Sequence, residues 1–319
     1  MSTVPFTHGL HPVGTGSYAY LHPTGTWCQS NSGLVVDQGQ ALLVDTGFAL
    51  REAQKIKQSI TDALPDITIG TVVNSHGDVD HWFGNQLFAD EAEIVASHAA
   101  IAHMQQDHWW NLICDPELPT AAPGVRDFLD GICANFDFTD TEPTPATRGF
   151  DQELQLQVGR RTVQLLEMGP AHTVGDVLVH VPDARVIYAG DLLFADNHPV
   201  IHSGPIQRWI DACTTMLDLD PAVIVPGHGP VVSAAGLILF RDYLERIRDH
   251  ATDSWRAGDP ADHAAATFTH APTEHWAGAD RVLANIAAVY RELAPQDDAV
   301  PSALQVLGHT DIAHAHPST

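Results

Sequence analysis

The sequence predicts a layered α/β domain in which helices cover two β-sheets. Segments with strand pattern and segments with helical pattern follow one another, and this order occurs twice within the first three quarters of the chain. Such an order is typical of two sheets with helices on their outer faces. Hydrophobic residues make up 44% of the 319 residues, so the chain can bury a sizeable core. Polar residues, many of them His or Asp, directly follow several of the predicted strands.

The N-terminal part is predicted to begin with three strands, over residues 13–21, 33–36 and 41–44. Turn signals containing Gly, Pro and Asp separate these strands. Apolar residues at helical spacing predict a helix over 50–64, which Pro65 ends. The further elements predicted here are a strand over 69–74, a short helix over 82–89, a strand over 93–96 and a helix over 99–104.

Residues 105–148 interrupt this alternation and are predicted to form a helical insert. Its apolar side chains could roof a pocket, contact a second subunit, or pack as a satellite core under a long loop. The residues concerned are Trp109, Trp110, Leu112, Ile113, Phe128, Leu129, Ile132 and Phe136, with Pro116, Pro119 and Pro123 between them.

The strand pattern returns after the insert and then gives way to helices. The predicted strands cover 154–158, 163–166, 177–181, 186–189 and 223–225, and the predicted helices cover 205–218 and 233–253. We therefore expect a catalytic domain over 1–253 and a C-terminal helical extension over 254–319 that ends in a loose tail. The amphipathic stretch 281–293 and the insert could each mediate a homodimer or a higher homo-oligomer.

Composition argues against several classes of partner. Forty acidic residues oppose 15 basic ones, and a net charge of -25 repels nucleic acid. No apolar run is long enough for a membrane span, and the first six residues lack the pattern of a signal peptide. Four separated cysteines, with no C-x-x-C pair, suit buried thiols in a reducing compartment. We expect a cytoplasmic protein that binds neither nucleic acid nor membrane. The four cysteines are Cys28, Cys114, Cys133 and Cys213.

The segment Asn74–His81 is the strongest chemical signal in the chain. It contains His76, Asp78, Asp80 and His81, and it follows an apolar predicted strand. A strand that ends in several ligands aims them at one point from a rigid base. Imidazole and carboxylate groups are ligands that zinc, iron and manganese accept. The segment therefore predicts part of a metal site.

Four more predicted strands end in candidate metal-site residues. His172, Asp191 and His228 each follow an apolar run beside or near glycine, where the backbone can approach a ligand closely. Asp45 follows the strand at 41–44 in the same way. One such residue would carry little weight, because a lone His after a strand is usually a core or surface residue. Their repetition in order predicts one shared metal centre.

These motifs resemble the metallo-β-lactamase superfamily over residues 11–245 or so. That family carries H-x-H-x-D-H followed by a His, an Asp and a His, each at a strand end. The matching residues are His76, Asp80, His81, His172, Asp191 and His228. The resemblance implies an αββα sandwich, in which two mixed β-sheets lie between outer helices, here with a helical insert and a C-terminal helical extension.

The resemblance also implies two metal positions. The first would use His76, the residue at position 78 and His172, and Asp191 would bridge to the second. The second would use Asp80, His81 and His228. Asp78 replaces the second His of the motif. If this shorter side chain ligates, it favours iron or manganese over zinc. If it does not, the first position holds its ion weakly. We expect one or two Zn²⁺ ions, with Fe or Mn as alternatives.

A metal-activated water would then attack an ester, thioester or lactone, the substrate being a small molecule or an acyl group on a carrier protein. Asp80 would hold or orient that water, and Asp45 would fix the tautomer of a ligand His. His198 and His202 follow Asp191 closely and are candidate proton donors. Trp82 and Phe83 are expected to anchor a helix in the core rather than to bind substrate.

Two alternatives remain open from the sequence. Tyr18-Ala19-Tyr20-Leu21 and Ser30-Asn31-Ser32-Gly33-Leu34 resemble an actinomycete branch of the superfamily. Some members of that branch are cyclase–thioesterases that act on aromatic polyketides in antibiotic biosynthesis, so the metal could instead polarise a carbonyl for ring closure. The second alternative is a di-iron redox protein, because flavodiiron relatives carry a carboxylate where Asp78 lies.

Overall fold

The computed structural model describes residues 4–23, 27–106, 109–114 and 124–295. In this part of the chain two mixed β-sheets pack against each other and helices cover their outer faces, so the predicted fold class is confirmed. The two sheets contain seven and five strands.

The first sheet has its strands in chain order, from β1 to β7. Strands β1 to β4 pair antiparallel, whereas β4 to β7 pair parallel. The parallel pairs matter for the site because their carboxyl ends share one edge of the sheet. The strands are β1 (Gly9–Gly14), β2 (Ser17–Leu21), β3 (Ser32–Asp37), β4 (Gln40–Val44), β5 (Thr68–Val73), β6 (Glu93–Ser97) and β7 (Arg148–Phe150).

The second sheet has the order β12-β11-β10-β9-β8. Strands β8 to β11 pair antiparallel, and β11 and β12 pair parallel. The strands are β8 (Glu153–Val158), β9 (Arg161–Glu167), β10 (Val177–Val181), β11 (Val186–Phe194) and β12 (Val223–His228).

Alternate side chains of the central strands pack on opposite faces of each sheet. In β10, Val177 and Val179 belong to the cluster between the sheets, whereas Leu178 packs in the cluster under the helices. In β4, Leu42 packs between the sheets and Leu43 packs on the outer face. Strands buried on both faces explain the near-continuous apolar runs of the sequence.

Helices form the two outer layers. The first sheet is covered by α1 and α3, and the second by α6 and α7, each through its apolar face. The helices are α1 (Leu50–Ala63), α2 (Val79–Trp82), α3 (His98–Gln106), α4 (Trp109–Cys114), α5 (Val125–Cys133), α6 (Ile206–Asp218), α7 (Ala234–Ala257), α8 (Ala261–Thr267) and α9 (Arg281–Leu293). None of the described helices is long and apolar enough to cross a bilayer.

The local predictions differ from the structure most clearly in four places. Strand β11 continues past its predicted end at residue 189 to Phe194, so that Asp191 lies within the strand rather than after it. The expected strand over 13–21 spans the turn of a hairpin: it includes the end of β1, the turn at Gly16, which has a φ of 59°, and the whole of β2. The expected helix over 82–89 is instead α2 followed by a short 3₁₀ turn, Asn85–Leu87. Strand β7 was not predicted, because three residues are too few to show an alternating pattern.

The insert contains α4 and α5. Residues 107–108 and 115–123, which include Pro116, Pro119 and Pro123, lie outside the described residues. Its aromatic residues Trp110 and Phe136 pack on the core through Phe83 and Phe48 respectively. Trp82 and Phe83 are 1% exposed, as expected of core anchors. The insert is thus continuous with the core of the first sheet.

The C-terminal helix α9 packs against both outer layers. Val282 and Ile286 belong to the cluster formed with α6 and α7, whereas Ala284 and Ala287 belong to the cluster on the first sheet. Residues 296–319, where a loose tail is expected, lie outside the described residues. Because α9 touches both clusters, the extension packs against the sandwich.

Candidate metal centre

The candidate ligands lie in, or shortly after, strands of both sheets. Asp45 directly follows β4, and the segment 74–81 directly follows the parallel strand β5. Asp191 lies in β11, and His228 ends the parallel strand β12. His172 lies in the loop between β9 and β10. The fold therefore brings five chain segments toward one region.

Local hydrogen bonds hold the segment 74–81 in shape. The side-chain amides of Asn74 and Asn85 bond to each other in both directions, at 3.0 and 2.8 Å. Trp82 Nε1 donates to the carbonyl of Gly77 at 2.9 Å. Asp78 precedes α2 but makes no capping hydrogen bond, so its carboxylate is free to reach the centre.

The first ligand group consists of His76, Asp78, His172 and Asp191. His172 Nε2 lies 3.1 Å from Asp78 Oδ2 and 3.4 Å from Asp191 Oδ2. His76 Nε2 lies 3.7 Å from Asp78 Oδ2. The Asp at position 78 thus reaches two of the imidazoles in spite of its short side chain.

The second ligand group consists of Asp80, His81 and His228, whose ligand atoms all lie within 4.8 Å of one another. Asp80 Oδ2 is 3.3 Å from His228 Nε2 and 3.6 Å from His81 Nε2. Asp191 touches this group as well, because its Oδ1 lies 3.2 Å from His81 Nε2 and its Oδ2 lies 3.3 Å from His228 Nε2. Asp191 therefore lies between the two groups.

The imidazoles of both groups have their Nδ1 atoms bonded away from the centre. His172 Nδ1 donates to the carbonyl of Val200 at 2.7 Å, and His228 Nδ1 donates to that of Gln29 at 3.2 Å. An Nδ1 that donates leaves Nε2 with its lone pair free for a cation. The two remaining contacts are between His81 Nδ1 and Asp45 Oδ2 at 2.8 Å, and between His76 Nδ1 and Ser75 Oγ at 2.9 Å.

Asp45 supports two parts of the site at once. Its Oδ1 accepts the backbone N–H of Ser75 at 2.7 Å, and its Oδ2 contacts His81 and accepts the Ser75 hydroxyl, also at 2.7 Å. The residue adopts a φ of 60°, which is uncommon for a residue other than glycine. Its geometry is that expected of a group that fixes a ligand tautomer.

The electrostatics of the centre favour a bound cation. Burial disfavours protonation of His172, but the hydrogen bond with Asp78 and the charge of Asp191 outweigh it and raise its pKa to about 9. Burial is likewise outweighed at His228, where Asp191 and Asp80 raise the pKa to about 9. The buried carboxylates thus attract positive charge strongly, which a metal ion can supply in place of protons.

Three buried polar atoms provide a direct test of whether a metal fits. His76 Nε2, His81 Nε2 and Asp191 Oδ1 make no well-aligned hydrogen bond among the described residues, although His81 Nε2 and Asp191 Oδ1 lie 3.2 Å apart. A buried polar atom without a partner costs about 1–3 kcal/mol, so such a cluster needs an explanation. All three belong to the two ligand groups, and their donor types suit zinc, iron or manganese. The residues therefore fit a metal ion.

Glycine is required where β11 and β12 approach the centre. A Cβ atom at Gly227 would collide with Asp191 Oδ1, and one at Gly190 would lie 2.5 Å from Ser75 Cβ. Gly190 also has a φ of 50°, a conformation that glycine adopts easily. These glycines let the backbone pass close to the ligand side chains.

A cavity of about 290 Å³ borders the centre. Asp78, Asp80, His172, Asp191 and His228 all line it. Its volume is close to the lower end of the range for small-molecule sites, about 300–1,000 Å³. The apolar part of its wall combines the insert with residues of the core: Trp27, Phe48, Val79, Ile113, Leu129, Ile132, Val174, Phe194 and Val200.

The two candidate proton donors occupy different environments. His202 lines the cavity, with Nε2 at 3.8 Å from Asp78 Oδ2. His198 is fully buried, its Nδ1 lies 2.9 Å from the Tyr243 hydroxyl, and its ring packs on Trp276. His198 is not among the residues that line the cavity, so the structure does not bring it to the centre.

Arg281 lines the cavity and was not predicted from the sequence. It is 8% exposed, its Nη1 donates to the His198 carbonyl at 2.8 Å, and its guanidinium lies 3.8 Å from the ring centroid of Trp27. Its Nε has no hydrogen-bond partner among the described residues. The amphipathic pattern of 281–293 marks the helix, but the pattern does not show which side faces the cavity.

Helix α9 also holds the loop that carries His202. Asn285 accepts the N–H of Ile201 at 3.0 Å and donates to the carbonyl of Pro199 at 2.9 Å. Glu292 accepts the N–H of Ile206 at 2.8 Å. The C-terminal extension therefore shapes the candidate site.

The chain belongs to the metallo-beta-lactamase superfamily, whose profile matches residues 25–228. It is 24% identical over 226 residues to the 2,4-dinitroanisole O-demethylase subunit alpha of Nocardioides sp. (strain JS1661), which covers 70% of this chain and 60% of that protein. It is 27% identical over 235 residues to the probable metallo-hydrolase YqjP of Bacillus subtilis (strain 168), covering 66% of this chain and 71% of that one.

Solved structures show the same fold at lower identity. The stereoselective inverting sec-alkylsulfatase Pisa1 from Pseudomonas sp. superposes with a TM-score of 0.70 at 15% identity, over 98% of this chain and 52% of that one. The metallo-beta-lactamase from Pontibacter korlensis superposes with a TM-score of 0.54 at 17% identity, over 75% of this chain and 99% of that one. This chain thus spans about half of the sulfatase.

Proposed function

We propose that this protein is a metal-dependent hydrolase that uses water to cleave an ester, thioester or lactone. One observation carries the proposal: seven His and Asp side chains from four chain segments converge beside a cavity, and three of their buried atoms make no well-aligned hydrogen bond among the described residues. A divalent cation bound there would lower the pKa of water and polarise a carbonyl group. The seven residues are His76, Asp78, Asp80, His81, His172, Asp191 and His228.

Asp80 is the residue best placed to handle a proton in such a reaction. Its carboxylate lines the cavity and contacts both His81 and His228. Its backbone carbonyl accepts the hydroxyl of Ser30 at 2.5 Å, which fixes the turn that carries it. We assign to Asp80 Oδ2 the role of orienting a water molecule and accepting its proton.

The cavity lining supports a substrate with a compact apolar group. Leu129 and Ile132 of the insert face the same space as the ligands. Arg281 is the one Arg or Lys among the described residues that line this space. A guanidinium in an apolar pocket is suited to bind a carboxylate or a similar anion. We propose an acyl substrate with an apolar body and an anionic group, free or attached to a carrier protein.

The resemblance to cyclase–thioesterases does not discriminate between substrates. Ser30 and Asn31 belong to the segment that carries this resemblance, and both support the ligand loops. Asn31 Nδ2 donates to the carbonyls of Pro226 and Gly229, at 3.0 and 2.9 Å. Such support would serve either reaction, so this segment does not choose between them. We favour hydrolysis because of the similarity to a probable metallo-hydrolase. A polyketide cyclase would yield a ring-closed product without incorporating water, which product analysis would detect.

Asp78 lies close enough to His76 and His172 to be a metal ligand, and the di-iron alternative depends on that. An added carboxylate makes a site harder and more favourable to iron or manganese. Elemental analysis of protein purified without added metal separates zinc from iron. Iron that cycles between oxidation states, without hydrolysis of any substrate offered, would replace our proposal by a redox role.

The proposal is tested with the purified chain, a defined metal supply and three substrate families. We expect turnover of at least one family among aryl esters, acyl thioesters and lactones, and loss of turnover when metal is removed. Restored turnover after metal is added back distinguishes a metal requirement from damage. No turnover of any family by the metal-loaded protein would contradict the proposal.

A further inference from the structure

We infer that His202 is an additional metal ligand of the first group. The superfamily motif has a His at position 78, where this chain has Asp78, and His202 would supply the missing imidazole. The inference rests on the proposed metal centre and adds a residue from a separate loop to it. It also gives His202 a role other than proton donation.

The first argument is distance. The ligand atoms of Asp78, His172 and His202 all lie within 4.8 Å of one another. His202 Nε2 is 3.8 Å from Asp78 Oδ2, and the rings of His172 and His202 have centroids 5.0 Å apart. Asp78 Oδ2 therefore lies within 4.0 Å of three Nε2 atoms, those of His76, His172 and His202. One cation could contact Asp78, His172 and His202 together.

The second argument is how firmly His202 is held beside His172. The N–H groups of His202 and Ser203 both donate to the carbonyl of His172, at 3.2 and 3.0 Å. In return, His172 Nδ1 donates to the carbonyl of Val200. These reciprocal bonds join the backbones of the two loops and so keep the residues His172 and His202 next to each other. Ligands need such support to keep a fixed geometry.

The third argument is chemical compensation. An Asp at position 78 gives the first group a carboxylate in place of an imidazole, whereas His202 brings a nitrogen donor to the same carboxylate. The His202 side chain is 36% exposed, compared with 2% for His172. It therefore lies at the cavity side of the group, where a ligand can both hold a cation and contact substrate.

The test compares zinc binding by metal-free wild-type protein with binding by three variants. His202→Gln keeps a polar side chain of similar length and removes the imidazole. The double variant Asp78→His/His202→Gln returns an imidazole to the motif position. His263→Gln changes an exposed histidine far along the chain and serves as the control.

We expect wild type and the control to bind two zinc ions per chain. His202→Gln should bind the weaker ion at least about tenfold less tightly, and the double variant should recover it. The absorption spectrum of the cobalt-loaded proteins should change in His202→Gln and not in the control. Equal stoichiometry, affinity and spectra in wild type and His202→Gln would overturn the inference. This holds even if turnover fell, because loss of a residue that only donates a proton lowers turnover without changing metal binding.

Failure of the inference and failure of the metal centre give different results. No zinc bound by wild type would end both, whereas two ions bound equally by wild type and His202→Gln would end only the role of His202. If His202→Gln does not fold, anomalous diffraction from zinc-loaded wild-type crystals decides the matter. A zinc ion about 2.0–2.1 Å from His202 Nε2 supports the role, and a first-group ion out of contact with it refutes the role.

Discussion

The two ligand groups differ in how their residues are held. In the second group, Asp80 and His81 share α2, and His228 ends a strand that pairs with β11. The first group takes His76, Asp78 and His172 from loops, and the Asp78 side chain is 23% exposed, against 10% for Asp80. A group held by regular secondary structure is suited to anchor a cation, and a group held by loops is suited to tune it.

This difference leads us to expect that the two groups contribute differently to metal binding. The second group keeps the full set of residues that the superfamily motif provides, whereas the first has an Asp in place of a His. Asp191 contacts both groups and therefore couples them. We expect the second group to decide whether metal binds at all, and the first to decide which metal binds and how tightly.

The largest effect is expected from removing a ligand of the second group. His81→Ala and His228→Ala should each lose metal and all measurable turnover, because each leaves buried carboxylates without their compensating partner. Elemental analysis and the hydrolysis assay measure the two losses, with His263→Ala as the control. If both variants kept full metal content, the assignment of the second group would be wrong.

A smaller loss is expected when the support of His81 is weakened. Asp45→Asn removes the charge that faces His81 Nδ1 while keeping a side chain of similar shape. Metal affinity should fall about 10–100-fold, as is usual when a group that orients a ligand is lost. Competition with a coloured chelator measures the affinity. An unchanged affinity would show that Asp45 acts only as a structural residue at the end of β4.

A gain is expected when the first group is restored to the superfamily pattern. Asp78→His should raise the affinity for the more weakly bound zinc ion and lower the preference for iron or manganese, because it replaces a hard donor by an imidazole. Calorimetric titration of metal-free protein gives both stoichiometry and affinity. No gain in either would place Asp78 outside the metal shell.

The smallest expected effect concerns substrate rather than metal. Arg281→Met should raise KM for an anionic ester about tenfold or more and leave a matched neutral ester nearly unchanged, since charge-assisted hydrogen bonds contribute about 1.5–3 kcal/mol. Arg281→Lys keeps the charge and should fall between. Metal content is measured in all three proteins, because Arg281 Nη1 also bonds the backbone of the loop that carries His202, and only variants with equal metal content are compared. An equal change for both esters would indicate a packing role against Trp27.

Most strands and helices of this fold can be predicted from the sequence, because the residue patterns that indicate them lie within short segments. Val177–Val181 is an apolar run over the whole of β10, and the predicted bounds of this strand coincide with the observed ones. The hairpin at Gly16 was missed because a two-residue turn hardly interrupts an alternating pattern. Strand β7 gains its identity only by pairing with β6, a contact distant in sequence.

His198 and His202 show where local signals end. Both follow Asp191 in the same loop, and nothing in the sequence separates them. Tertiary packing separates them, because His198 Nδ1 lies 2.9 Å from the hydroxyl of Tyr243 on α7, whereas His202 Nε2 lies 3.8 Å from Asp78 Oδ2. Their positions depend on α9, whose Arg281 and Asn285 bond the backbone of this loop.

Most of the order of strands and helices and the residue types of the candidate metal centre were determined by the sequence alone, since periodicity and motif spacing are properties of neighbouring residues. Which histidines face the centre, whether Asp78 reaches it and how α9 supplies Arg281 to the cavity were decided by tertiary structure alone. These depend on contacts between segments far apart in the chain, and no short stretch of sequence encodes them.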